Sequence, residues 1–194
     1  MNSKPITCTA FAGTRCIASG TLREVAAQAK AFLDQNPTAQ ILIFDDRTGE
    51  PVEIDFRGTP QDVLDRLPDT EPEAEARRPG RPKLGVVARE VTLLPRHWEW
   101  LAAQPGGASV GLRKLVDEAR RTSRARDELR RAQEAAYRFL SAMAGNESGF
   151  EEANRALFAG QRERFELMSK AWPVDIRAHA RKLAAAAFAA AEGK

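Results

Sequence analysis

The chain has 194 residues, enough for one large domain or two small ones, and its 43% hydrophobic and 29% charged residues let it bury a core and stay in solution. No apolar run reaches the length of a membrane span, and the start, "MNSKPITCTAF", shows no basic region followed by an apolar stretch, so the expected setting is the cytoplasm, with no membrane partner. Two cysteines (Cys8, Cys16) and two histidines (His97, His179) are too few and too scattered for a structural zinc site, so no metal is expected; the cysteines are expected as small buried residues of the first hairpin.

The net charge of +3 conceals a division: residues 1–75 hold 7 basic and 13 acidic side chains, whereas residues 76–194 hold 23 and 14. An acidic module joined to a basic one directs the basic one toward a polyanion; charges scattered over solvated faces are the plainer alternative.

In chain order, "ITCTAF" and "RCIAS" predict two short strands joined at "AGT". "GTLREVAAQAKAFLDQNP" predicts a helix, with Thr21 and Glu24 as a capping box and Leu22, Val25, Ala29 and Leu33 on one face. "QILIFDD" predicts a third strand, Asp46–Gly49 a turn, and "PVEIDF" a fourth strand in which Val52, Ile54 and Phe56 alternate with Glu53 and Asp55. "GTPQDVLDRL" predicts a short helix capped by Thr59, with Pro60 at its first position. The order ββαββα makes residues 1–67 a small acidic α+β domain. Residues 68–85, rich in Pro, Gly and Arg, predict a linker.

Beyond it the pattern is a short strand near 86–94, a helix from about Arg96 to Gln104, a break at Pro105-Gly106-Gly107, and a second helix capped by Ser109 with the stripe Leu112, Leu115, Val116 and Ala119. "RRTSRARDELRR" is polar all round, so that helix either ends there or crosses solvent. Residues 122–194 predict a helical region: the stripe from Leu129 to Met143, one helix carrying Phe150, Leu157, Phe158, Phe165, Met168 and Trp172, and a last helix after Pro173 whose alanine tract frays.

The strand "EVTLL", the Leu94-Pro95 step, apolar Trp98, Leu101 and Ala102, the turn "PGGAS" and the helix "SVGLRKLVDEARR" together resemble the ribbon-helix-helix (Arc/MetJ-like) superfamily of DNA-binding regulators over residues 86–121. The whole chain also resembles a bacterial family of unassigned function, on "GRPKLGVVAREVTLLPRHWEWL" and "QPGGAS". The first resemblance implies a homodimer in which the strand pairs with its copy and the two-stranded ribbon enters the major groove. Val91, Leu93, Trp98, Leu101, Leu112, Leu115 and Val116 would form the dimer interface. Ala108, Ser109 and Val110 would clamp a phosphate at the helix start, with Arg113 and Lys114 within about one turn. Arg89 and Thr92 are groove-facing candidates in opposite registers: one register turns Arg89, Val91 and Leu93 outward, the other Glu90, Thr92 and Leu94.

The preceding "RRPGRPKLG" resembles an AT-hook, a basic arm for the minor groove of A·T-rich DNA. Arg78, Arg81, Pro82 and Lys83 carry this likeness, alongside Arg77; Pro79 stands where the arginine before the core glycine is usual. A plain basic linker is the alternative.

The expected function is thus a dimeric DNA-binding protein, a transcription regulator or nucleoid-associated binder, with a protein-interaction and dimerisation module as the alternative. The acidic domain is left to sense an effector, recruit a protein or fold back on the basic half. No P-loop, dinucleotide fingerprint or C-x-x-C is found, and neither histidine has an acid or nucleophile at a set spacing, so no catalysis and no cofactor is expected. Asp45, Asp46 and Glu50 either hold a hard cation or are solvated turn residues.

Overall fold

The structure, a computed structural model, describes residues 7–68, 87 and 89–192. Alternating apolar residues form the hairpin of Thr7–Ala12 (β1) and Arg15–Thr21 (β2). Thr21 then caps Leu22–Gln35 (α1): its hydroxyl accepts from the Glu24 N–H, and the Glu24 carboxylate accepts from the Thr21 N–H at 2.8 Å. Ile41–Asp45 (β3) pairs antiparallel with β1, from Cys8 opposite Asp45 to Ala12 opposite Ile41, giving the order β2-β1-β3. Cys8, Ala10, Ala18 and Ile43 meet Leu22, Val25 and Ala29 of α1, so one face of the sheet is covered by that helix.

The expected fourth strand does not form. Only one bridge, Phe44 to Pro51, joins residues 50–56 to β3, with the Val52 N–H donating to the Ile43 carbonyl at 2.7 Å. Pro51 stands at a non-hydrogen-bonded position of this pair: the Asp45 N–H donates to the Glu50 carbonyl at 3.0 Å on one side of it and the Val52 N–H closes the other, and no ladder bond follows Val52 among the described residues. Val52, Ile54 and Phe56 still alternate with exposed Glu53 and Asp55 and pack on the core beneath α1. Pro60–Asp65 (α2) follows, capped by Thr59 as expected.

The remaining elements are helices: Pro95–Ala102 (α3), Gly107–Met143 (α4), Phe150–Phe158 (α5), Arg162–Met168 (α6) and Val174–Glu192 (α7). The expected strand near 86–94 is not a strand in the single chain; Val91–Leu94 precede α3 as irregular backbone, ending extended at Leu94. A strand needs a partner for its backbone groups, and the described chain supplies none here. Helix α4 starts at Gly107, so Ser109 lies inside its first turn rather than capping it, and the helix runs unbroken through the polar stretch for 37 residues. The expected single helix over 150–172 is two. Gly160 ends α5, its N–H donating to the Leu157 carbonyl and the Gln161 N–H to the Ala156 carbonyl, a glycine-terminated cap. The alanine tract of α7 is helical and packed: Ala184, Ala187 and Phe188 are buried, because methyl-sized side chains let the helix approach the core closely.

Two compact units result, one of Met1–Thr70 with Ala125–Lys194, the other of Glu71–Arg124. The divisions after 70 and 124 fall three residues from the expected 67 and 121, but the parts before and after them belong to one unit. The acidic hairpin region is no separate domain: Phe11 and Phe44 share one core with Phe139, Leu140, Phe165, Trp172 and Ile176.

The turn after β3 is pressed onto α4. Gly49 has φ +67°, and a β-carbon there would lie 1.9 Å from the Ala135 carbonyl oxygen. Gly49→Ala is expected to cost about 3 kcal/mol or more in urea unfolding, since backbone must move. Gly13→Ala, also left-handed but with nothing within 4 Å, is expected to cost only about 1 kcal/mol.

Candidate nucleic-acid interface

Of residues 71–124, the described ones form α3, the first half of α4 and the segment 89–94 before them. Leu94 opens α3 without a side-chain cap, its carbonyl accepting from the His97 N–H at 2.8 Å, and Pro95 takes the first helical position, where its missing N–H costs nothing. Leu101 is buried, and Gly111 of α4 lies directly under it. Leu93, His97, Trp100, Leu101, Leu112 and Leu115 surround an apolar cavity of about 270 Å³. The interface candidates are thus partly assembled: Leu93, Leu101, Leu112 and Leu115 come together, while Val91, Trp98 and Val116 stand on the surface.

Among the described residues, 89–93 make no backbone hydrogen bond. Arg89, Glu90, Val91 and Thr92 are exposed, and Leu93 is half-buried. Ser109, Arg113 and Lys114 lie in the first two turns of α4, the Arg113 Nε donating to the Ser109 carbonyl at 3.1 Å. Arg77, Arg78, Arg81, Pro82 and Lys83 lie outside the described residues.

A second polar assembly, absent from any sequence motif, lies in the other unit. Asp46, expected at most as a cation ligand or a solvated turn residue, has a side chain only 6% exposed. Its carboxylate accepts from the Thr9 hydroxyl at 2.7 Å and from Lys182 at 2.6 Å, and Thr9 lies 3.2 Å from the Ser19 hydroxyl. Asp45 accepts from the Arg47 and Thr48 N–H groups at 2.7 and 3.1 Å, which shapes the turn. Both acids are therefore committed to protein donors, and Glu50 is exposed near Arg138. His179, with a side chain 5% exposed, sits edge-on to Phe11 and Phe139, with ring centroids 5.5 and 4.5 Å away. Its Nε2 lies 3.7 Å from Asp46, beyond hydrogen-bond reach, and has no partner. Burial pushes the imidazole down to about 4; the Asp46 charge opposes that shift but does not cancel it, and Lys182 adds to it. Cys16 is half-buried beside this cluster, its N–H donating to Asp175 at 2.9 Å, and burial first and Asp175 second push its thiol up. Burial likewise pushes Cys8 up to about 11, so neither is a ready thiolate. The only sequence trace of this cluster is an acid pair at a strand end and a histidine on an apolar helix face, 133 positions apart.

The architecture is that of a mixed α+β protein with a small three-stranded antiparallel sheet and helices that dominate the rest. Residues 7–184 match the family described as "Uncharacterized protein conserved in bacteria (DUF2239)", and the chain belongs to that family. No curated protein and no solved structure matches it significantly. No described helix is long and apolar enough to cross a membrane.

His179 makes stability acid-sensitive. Unfolded, the imidazole takes up its proton near pH 6.5; folded, it resists until about pH 4, so protons favour the unfolded state across that window. Stability is expected to be full above pH 6.5 and to fall toward pH 4. His179→Phe, which keeps the ring contacts, is expected to flatten that slope in urea titrations at stepped pH; an unchanged slope would contradict it.

Proposed function

We propose that the chain is a dimeric DNA-binding protein, a transcription regulator or nucleoid-associated binder, in which residues 89–94 pair with those of a second copy to form a major-groove ribbon. One observation carries this reading: residues 89–93, which have no backbone hydrogen bond among the described residues, lie beside apolar side chains that stand exposed. Val91, Trp98, Leu115 and Val116 are all exposed, Val116 by 54%. A second copy would satisfy the orphaned N–H and C=O groups and cover those side chains in one step, a self-complementary contact of two-fold symmetry. The partial burial of Leu93 supports the register with Val91 and Leu93 toward the helices and Glu90 and Thr92 toward the groove. So few polar groups on the ribbon leave much of the affinity to phosphates, through the α4 start, Arg113 and Lys114, and to the basic arm of Arg78, Arg81 and Lys83 on A·T-rich DNA.

A second reading, a dimerisation and protein-interaction module without sequence-specific DNA binding, is favoured by the exposure of both Trp98 and Trp100, at 41% and 52%. Exposed tryptophans are frequent anchors at protein interfaces.

Sedimentation and gel shifts separate the two. The full chain is expected to sediment as a dimer and to bind duplexes with a steep salt dependence. Val91→Asp is expected to give monomers that bind no duplex. Arg113→Ala with Lys114→Ala is expected to keep the dimer, weaken binding to every sequence and reduce the logarithmic salt slope by about 2. Arg81→Ala with Lys83→Ala is expected to remove any A·T preference. A dimer that binds no duplex even at low salt would leave the second reading standing.

A further inference from the structure

Within the unit that holds the sheet, the turn after β3, helix α4 and helix α7 enclose a cavity of about 550 Å³. Its apolar surface comes from Ala132, Ala135, Leu183 and Ala186, and its charged rim carries four cations against three carboxylates. The walls are cross-tied. Gly49 rests on the Ala135 backbone, Arg138 donates to the Thr48 carbonyl at 2.9 Å, and Lys182 binds Asp46 at 2.6 Å. A pocket whose walls already hold one another needs little ordering when a ligand enters.

The rim charges are unequally engaged. Lys182 is taken up by Asp46, and Arg138 lies within 3.9 Å of both Glu50 and Glu134. Arg47 and Arg131 have no side-chain partner among the described residues. Two unengaged guanidiniums over an aliphatic floor favour a ligand with one anionic end and an apolar body, since a guanidinium fork fits a carboxylate.

We propose that this cavity binds a small organic monocarboxylate, its carboxylate held by Arg47 and Arg131 and its apolar body laid on Ala132, Ala135, Leu183 and Ala186. The site is built only from residues of one unit and does not rest on the DNA-binding reading.

The test uses the full chain, with octanoate and benzoate as probes and acetate and octanol as controls lacking the body or the charge. Isothermal titration and amide NMR shifts are the readouts. At least one probe is expected to saturate in the millimolar range or below, with shifts confined to residues 46–49, 131–138 and 182–186. Acetate and octanol are expected to bind at least about tenfold more weakly, and Arg47→Gln with Arg131→Gln, both exposed and outside the core, to weaken the probe by at least about tenfold. Ala186→Phe, which fills the floor without touching charge, is expected to block binding. The proposal is overturned if neither probe saturates by about 10 mM, if octanol binds as well as octanoate, if the shifts fall elsewhere, or if the double glutamine variant binds like the parent.

Discussion

The contact between two phenylalanines of the sheet and one of α4 holds the larger unit together. Phe11 and Phe44 lie 5.5 and 5.1 Å from the Phe139 ring, all three fully buried. Burying a side chain of that size stabilises by roughly 1.5–3 kcal/mol, and the tilted and edge-on geometries add to it. The contact joins residues separated by about a hundred positions or more, so the sheet cannot stand as an acidic domain of its own.

Once the sheet sits on α4, the turn after β3 has no freedom left. It must pass within van der Waals reach of the Ala135 backbone, which only glycine at position 49 permits, and it carries Asp46 inward with it. A carboxylate so enclosed needs donors. Thr9 comes from the neighbouring strand and Lys182 from α7, and their bonds to Asp46 tie three elements at one point. His179 enters the same place as a neutral ring packed among aromatics. Its cost appears only in acid, when the buried imidazole is forced to charge.

The two units solve opposite problems. The first covers much of its apolar surface, down to Ala184 and Ala187 of α7, and leaves Leu167, Val174 and Phe158 exposed, the last stacked edge-on with Tyr137 at 5.9 Å. The second buries Leu101 but, among the described residues, leaves Trp98, Trp100, Val91, Leu94, Leu115 and Val116 exposed. Helix α4 belongs to both, and its middle stretch is polar on all sides because no core borders it there.

Local chemistry was legible in the sequence. The capping box at Thr21, the cap at Thr59, the first hairpin, the Pro95 start of α3 and the buried faces of Ala136, Phe139 and Leu140 follow from propensity and spacing, which act within a few residues. The strand signal near 86–94 was also a local pattern, and the described chain, which offers that segment no partner strand, leaves it irregular. What the sequence could not show is anything that depends on distant chain. Whether "PVEIDF" completes a ladder depended on Pro51 meeting β3, and whether Asp46 is wet or buried depended on where α7 lies. The meeting of Asp46, Thr9, Lys182 and His179, and the cavity beside them, exist only because the Phe11–Phe44–Phe139 contact brings both ends of the chain together. Hydrophobic burial is non-directional, so sequence spacing tells which faces seek cover and only the folded chain decides which faces cover each other.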